Sequence, residues 1–321
     1  MPRHARLDIP GALHHIMIRG IDRGDIFIDE QDKNKFLEKL GEYVSDAKCS
    51  VYAWVLMSNH VHILFKSGEK GISAVMRKLL TWYAIYFNRR HKRTGHLFEN
   101  RYKSVLCEED RYFLALIRYI HLNPVRAGII RKMDELDSYQ WSGHGSIIGN
   151  IKHEWMDVEY VLTQFGVTRK RAKKEYRKFV EKGINMGRSD ELTGGGLIRS
   201  HGGWSNVVSM RRREREGEFD ERILGGSDFV QKVLEDVEER DIRQLKIRKT
   251  GMGISDIIGE ECEKFQVSAT AIRNGSRRSK MSEARAVIAR RSAEELGLTA
   301  AEVARHLGVS TSAITKAIAR S

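Results

Sequence analysis

Two histidines, His60 and His62, lie one residue apart in SNHVHILF, residues 58–65, where most other positions are apolar. The pattern predicts a β-strand over 60–67, in which side chains at i and i+2 share a face. The two imidazoles would then stand side by side, which is half of a metal site. Histidines on strands are more often structural residues with satisfied hydrogen bonds, and the pair alone does not decide between these readings.

A second pair of candidates lies in FLALIRYIHLNPVRAG, residues 113–128. The apolar pattern predicts a helix that ends about Asn123, because the residue before a proline is biased away from helical geometry. Tyr119 and Asn123 are four residues apart and so lie on one helical face. A phenol and an amide oxygen could thus be presented together to whatever the histidines hold. The alternative is a half-buried aromatic followed by an ordinary residue at a helix end.

The elements around these residues predict an α+β fold. Strands are predicted at 13–19, 49–57, 60–67 and 102–109, and helices at 30–47, 72–90 and 110–123. This order indicates a ferredoxin-like, four-stranded antiparallel sheet with helices on one face. We expect three domains: residues 1–150, a helical and irregular extension with a linker over 151–250, and an all-α helix-turn-helix domain over 251–321.

Composition points towards nucleic acid. The 321 residues include 56 Lys and Arg against 43 Asp and Glu, a net charge of +13, and the pI is about 9.6. A plain solvated basic surface is the alternative. Three separated cysteines without a CxxC pair argue against a disulfide framework and a structural zinc site. With no signal peptide or membrane span in the pattern, we expect a soluble cytoplasmic protein that does not associate with membranes.

The segment LTAAEVARHLGVSTSAITKAIAR, residues 298–320, has the form of a helix-turn-helix. Thr299 would cap the first helix, residues 308–310 would form the turn, and Thr311 would begin the second helix. Residues 271–321 hold ten Lys and Arg against four Glu, which favours a DNA-binding domain over an ordinary helical hairpin.

Several separated motifs, in order, resemble one known family. They are VLMSNHVHILF, RYIHLNPVRAG, the opening PRHARLDIPGALHHIMIRGIDRGDIF, GHLFENRYKSVL and YQWSGHGS. Together they are similar to the single-tyrosine HUH transposases, and within these to the REP-associated tyrosine transposases. The resemblance covers about residues 1–150 and implies the ferredoxin-like fold already expected.

The resemblance also implies roles for individual residues. His60 and His62 would bind a divalent cation, Mg²⁺ or Mn²⁺, Asn123 would complete its shell, and Tyr119 would be the nucleophile. Members of the family cut single-stranded DNA, leave a 5′-phosphotyrosine and a free 3′-hydroxyl, and commonly act as dimers, so a homodimer is possible. Basic side chains near these residues would follow the DNA backbone: Arg89, Arg90, Lys92, Arg93, Arg118 and Arg126.

Residues 254–320 resemble the C-terminal duplex-DNA-binding domain of the bacterial replication initiator DnaA. That likeness implies phosphate contacts from Arg277, Arg278 and Lys280. It implies groove contacts from Ser312, Thr315 and Lys316. The second helix lacks the initiator's DHTTV-type run, so binding to the replication-origin box does not follow.

The leading hypothesis is a metal-dependent strand transferase that acts on hairpin-bearing single strands and is tethered to duplex DNA at the nucleoid. A catalytically inactive DNA-binding regulator is the main alternative. A zinc-stabilised binding module is a third, although the HxH pair has no cysteine partners nearby.

Overall fold

The computed structural model describes residues 7–68, 71–186, 192, 220, 222–226, 228–236, 252–274 and 279–320. The chain divides into two compact units, Met1–Val230 and Gln231–Ser321. Among the helices in the described ranges, none has the length and apolar character needed to cross a membrane.

The first unit is built on a mixed sheet. Its four main strands are β1 (Leu13–Arg19), β2 (Ser50–Leu56), β3 (His60–Lys66) and β4 (Lys103–Cys107). They pair antiparallel in the order β2-β3-β1-β4, which confirms the α+β class and the ferredoxin-like strand order. A two-residue strand, β5 (Ile223–Leu224), adds parallel to β4, so the sheet has five strands rather than the four expected.

Helices connect and extend these strands. The long ones are α1 (Glu30–Asp46), α2 (Ser73–Arg90) and α3 (Glu109–His121). Shorter ones follow: α4 (Asn123–Arg126), α5 (Met133–Asp137), α6 (His144–Ile148), α7 (Val158–Thr163) and α8 (Arg169–Lys182). Residues 228–236 are also helical. Since Val161 of α7 and Tyr176 of α8 are fully buried in the same core as the sheet, the packed unit continues past residue 150.

The sheet carries helices on both faces rather than on one. Trp54 pairs with Ile63 and so faces away from His62. Its ring lies 5.8 Å from that of Trp155, and a Cβ at Gly41 of α1 would meet Trp155 at 2.3 Å. Helix α1 therefore covers this face, and a glycine is needed where it approaches the indole. Helix α3 covers the opposite face, the one that carries His62, because the Tyr119 ring contacts the His62 ring.

We predict that acid destabilises this unit through His14, which is 0% exposed. Burial lowers the pKa of His14 from its ordinary 6.5 to about 4. Between pH 4 and pH 6.5, His14 is therefore protonated in the unfolded chain and neutral in the folded one. Stability is complete above pH 6.5 and falls as the pH drops towards 4, by about 3 kcal/mol for this group. Urea unfolding at pH 7.5 and pH 5 should show that His14→Leu loses less free energy of unfolding between these pH values than wild type does. His96 is exposed, so His96→Leu should lose as much as wild type. Equal losses in His14→Leu and wild type would contradict the assignment.

Five helices lie in the described residues 252–274 and 279–320 of the second unit. They are α9 (Ile254–Phe265), α10 (Ala269–Arg273), α11 (Ser279–Leu296), α12 (Ala300–Leu307) and α13 (Thr311–Arg320). As predicted, Thr299 caps α12 in a reciprocal capping box with Glu302. Gly308 ends it with φ +63, and a Cβ there would lie 2.7 Å from the Arg273 carbonyl oxygen. Val303, Leu307 and Ile314 are buried, so α12 and α13 pack on their apolar sides.

Candidate active site

The two histidines of β3 stand together on the face that α3 covers. His60 pairs in register with Arg19 and His62 with Met17. The two imidazole centroids are 5.2 Å apart and the rings are nearly perpendicular, at 89°. His62 is buried and His60 is partly exposed, so the pair runs from the interior of the sheet towards its surface.

Each imidazole has its Nδ1 engaged. His60 Nδ1 lies 2.6 Å from Asn59 Oδ1, and His62 Nδ1 lies 2.9 Å from Nε2 of His15 on β1. Among the described residues neither Nε2 takes part in a hydrogen bond of this kind. Orientation of a histidine ring through one nitrogen, with the other left for a ligand, is the usual arrangement around protein-bound metals.

Both rings are neutral at physiological pH. Burial, and next the positive charge of Arg19, lowers the pKa of His60 to about 4. Complete burial, with contributions from His15, His60 and Arg19, holds the pKa of His62 well below 6.5. A neutral imidazole keeps a lone pair on one nitrogen, which is the form that binds a metal.

Tyr119 brings a phenol to the same group. Its ring meets those of His15 and His62 edge-on, with centroids 5.8 Å away in each case. The guanidinium of Arg126 lies 5.1 Å from the centre of the tyrosine ring. Tyr119 is 7% exposed, so the ring is held by its surroundings. Residues from β1, β3 and α3, far apart in sequence, therefore converge.

A cavity of about 310 Å³ opens beside the two histidines. Its walls come from three stretches of chain: Met17, Ile18, Arg19, His60, Val61, His62, Glu99, Asn100, Tyr102 and Lys103. A second hollow of about 360 Å³ shares Arg19 and Glu99 with it, and also contacts Asp22 and Arg23. The tyrosine in the cavity wall is Tyr102, whose hydroxyl lies 3.2 Å from Ser73 Oγ, whereas Tyr119 reaches His62 from α3.

Part of the chain matches a known protein family. Residues 10–123 match the sequence model of the family described as transposase IS200 like. This segment is therefore similar to the IS200-like transposases. No curated protein matches the chain significantly. A solved structure described as a REP-associated tyrosine transposase bound to a REP hairpin is 15% identical, with a TM-score of 0.39, over 49% of this chain and 98% of that one.

The donor set around His60 and His62 fits a divalent cation only in part. Within the described residues, no three His, Cys, Asp or Glu side chains form a metal-binding group. Two imidazole nitrogens are available, and the remaining ligands would have to come from an amide, water or substrate. Asn123 donates through Nδ2 to the Tyr119 carbonyl at 2.9 Å and to the Ile120 carbonyl at 3.3 Å, so it also closes the end of α3.

The basic residues predicted to follow DNA differ in their surroundings. Arg89, Lys92 and Arg93 are exposed near the end of α2. Arg90 is instead held by two carboxylates, with bonds of 2.6 Å to Asp29 and 2.5 Å to the fully buried Asp32. These ion pairs connect the end of α2 to the start of α1, so Arg90 stabilises the packing of the two helices.

Arg118 and Arg126 both lie against aromatic rings of the first unit. The Arg118 guanidinium is 4.5 Å from the centre of the Phe179 ring, so it joins α3 to α8. Arg126 lies over Tyr119, as described above. Both could contact DNA only with the part of the guanidinium that remains accessible.

The residues predicted to contact duplex DNA belong to the second unit. Lys280, Ser312 and Lys316 are exposed, and Thr315 is partly exposed. The Thr315 hydroxyl donates to the Thr311 carbonyl at 2.9 Å, within its own helix. Arg277 and Arg278 lie outside the described residues.

Two residues of the site were not anticipated from the sequence. His15 lies within hydrogen-bond distance of His62 Nδ1, and Asn59 lies within hydrogen-bond distance of His60 Nδ1. The signal for His15 was the alternation in LHHIMIR, which places His15 and not His14 on the face of Met17 and Arg19. That signal becomes usable only when β1 is known to pair with β3, because His15 lies diagonally across from His62 in this register.

Proposed function

We propose that the protein cleaves and rejoins single-stranded, hairpin-bearing DNA, with Tyr119 as nucleophile and with a divalent cation held by His60 and His62. The observation that carries this proposal is the edge-on contact between the Tyr119 and His62 rings within one chain. A tyrosine in contact with His62, whose ring lies 5.2 Å from that of His60, is suited to phosphodiester attack near a cation held by that pair. The family match over 10–123 supports DNA processing.

The cleavage step exchanges one phosphodiester for another. The Tyr119 phenol loses its proton, its oxygen attacks the phosphorus, and the bond from phosphorus to the 3′ oxygen breaks. The departing 3′ oxygen gains a proton, so the products are a 5′-phosphotyrosine and a free 3′-hydroxyl. Because the bond energy is retained in the tyrosyl ester, a second DNA end can attack it and restore the strand without ATP.

The surrounding residues fix and polarise the reacting groups. His60 and His62, with the Asn123 amide oxygen as a candidate third ligand, would hold Mg²⁺ or Mn²⁺. The bound cation would stabilise the negative charge that develops on the phosphate oxygens. Arg126 places positive charge beside the ring where the phenolate forms. Burial of Tyr119 against His15 and His62 limits the positions that its ring can adopt.

A covalent adduct is the direct test of this proposal. Purified protein is incubated with Mn²⁺ and a set of single-stranded hairpin oligonucleotides, and the products are separated on a denaturing gel. A protein band that retains the DNA label supports the strand transferase. Tight duplex binding with no adduct from any hairpin would instead support the catalytically inactive regulator.

We further propose that the second unit binds duplex DNA and keeps the transposase domain near its targets. Helix α13 presents the exposed Ser312 and Lys316 one turn apart, as a groove-reading helix requires. The sequence contains no phosphate-cradling loop of the GxxxxGK[ST] type.

Lys316→Ala should weaken duplex binding without affecting strand cleavage. Loss of a groove contact lowers affinity for the preferred duplex by roughly 1–3 kcal/mol, and loss of the positive charge also reduces the slope of log K against log salt. Lys264→Ala removes the same charge from α9, where Lys264 pairs with Glu261 at 2.7 Å, and is the matched control. Fluorescence anisotropy with labelled duplex at several salt concentrations gives both the affinity and its salt dependence. If the two variants have equal affinities and slopes, α13 is not the DNA-binding helix.

A further inference from the structure

Asn59, the residue just before the first histidine of β3, makes two side-chain hydrogen bonds in opposite directions. Its Nδ2 donates to the carbonyl oxygen of Arg23 at 2.9 Å. Its Oδ1 lies 2.6 Å from His60 Nδ1. A carbonyl oxygen can only accept, so the amide nitrogen must face Arg23 and the amide oxygen must face His60.

This orientation determines which nitrogen of His60 carries the proton. The amide oxygen of Asn59 also can only accept, so the short contact requires a hydrogen on His60 Nδ1. A neutral imidazole has a single ring proton, and its Nε2 is then a bare lone pair. The His60 ring, a wall of the 310 Å³ cavity, is therefore prepared as a ligand before any cation arrives.

The carbonyl that anchors Asn59 belongs to a constrained turn. Asp22 and Arg23 both adopt left-handed backbone angles, with φ of 52° and 59°, which non-glycine residues rarely take. Gly20 permits the closure, because a Cβ there would lie 2.0 Å from the Gly24 carbonyl oxygen. The turn is also bonded to the backbone of Asn59, whose carbonyl accepts from Gly20 N at 2.9 Å.

We propose that Asn59 is a positioning residue: anchored on the 20–24 turn, it fixes the His60 tautomer that leaves Nε2 free for a metal ligand bond. The use of that nitrogen rests on the proposed function, whereas the tautomer itself does not. A side chain that served only stability would contribute hydrogen-bond energy without selecting a tautomer. His15 occupies the corresponding nitrogen of His62, so both candidate ligands are oriented through Nδ1.

The tautomer can be read directly in the full-length, metal-free protein. Long-range proton–nitrogen NMR of histidine-labelled protein distinguishes protonated from bare ring nitrogens, and the His60 signals are assigned by their loss in His60→Gln. We expect the Nδ1-protonated form in wild type. Asn59→Asp keeps an acceptor for His60 and should retain this form, whereas Asn59→Leu removes the acceptor and should give a mixture of tautomers.

Mn²⁺ affinity supplies a second measurement that requires no DNA. We expect Asn59→Leu to bind Mn²⁺ about 10- to 100-fold more weakly than wild type, the range typical of lost outer-shell partners. Asn88→Leu is the matched control, because Asn88 Nδ2 donates to the Gly95 carbonyl at the same distance of 2.9 Å but away from the histidines. That variant should match wild type in both tautomer and affinity.

The results separate this inference from the proposed function. A wild-type His60 with its proton on Nε2, or an Asn59→Leu protein with the wild-type tautomer, would overturn the role of Asn59 whatever the cleavage assay shows. Failure to form a DNA adduct would overturn the proposed reaction and leave the tautomer result standing. If Asn59→Leu does not fold, Asn59→Asp and the wild-type spectrum still decide.

Discussion

Tyr119→Phe should abolish the covalent protein–DNA adduct while the fold is preserved. The substitution removes one oxygen, the proposed nucleophile, and leaves a ring that can still pack edge-on against His15 and His62. We expect adduct yield to fall at least about a thousand-fold, because a phenyl ring has no oxygen that could form the ester with phosphorus. The oligonucleotide should be labelled at its 3′ end, since the tyrosine is expected to hold the 5′ phosphate of the 3′ fragment.

Tyr102→Phe is the discriminating comparison, because Tyr102 lines the cavity beside the histidines. Its hydroxyl lies near Ser73 Oγ, and its loss should leave adduct formation close to wild type. Hairpin binding by Tyr119→Phe should also persist, which separates the chemistry from recognition. An adduct that survives in Tyr119→Phe and disappears in Tyr102→Phe would assign the nucleophile to the cavity wall.

The main helices and strands of the first unit could be predicted because apolar residues recur in each at the spacing typical of a helix or a strand. The strand that holds His60 and His62 was expected over 60–67 and spans His60–Lys66. The helix of Tyr119 was expected over 110–123 and spans Glu109–His121. Alternation and the 3.6-residue period are local properties of the chain, so they can be recognised without tertiary knowledge.

Features that depend on pairing between distant segments could not be predicted in the same way. The strand Ile223–Leu224 has only two residues, too few to show an alternating pattern. It forms by pairing with the edge of β4. Arg90 belongs to a basic run that suggests DNA contacts. Its partners Asp29 and Asp32 lie about sixty residues earlier, and only the packing of α1 on α2 brings them together.

The same distinction divides the candidate site. His60, His62 and Tyr119 were singled out from residue type and spacing, and their proposed roles came from the family resemblance. Asn59 and His15 orient those side chains, and such a role depends on hydrogen-bond geometry and not on type. Supporting residues therefore emerge only when the strand register and the turn at 20–24 are known.

His60→Ala should remove cleavage with little loss of stability. His60 is partly exposed, so its truncation leaves no large cavity, yet it deletes one of two candidate imidazole ligands. Charge stabilisation of several kcal/mol corresponds to a loss on the order of 100- to 1,000-fold in cleavage rate. EDTA should stop wild-type cleavage and added Mn²⁺ should restore it, whereas Mn²⁺ at the same concentration should not restore His60→Ala.

His96→Ala and His62→Ala complete the comparison with His60→Ala. His96 is exposed in the loop after α2, so its loss should change neither rate nor melting temperature. His62→Ala should lose cleavage and also stability, because it removes a buried side-chain hydrogen bond of 2.9 Å between His15 and His62, a cost of about 1–3 kcal/mol. Normal cleavage by His60→Ala after EDTA treatment would show that the reaction needs no cation at these histidines, and Tyr119 would then act without the ligand pair.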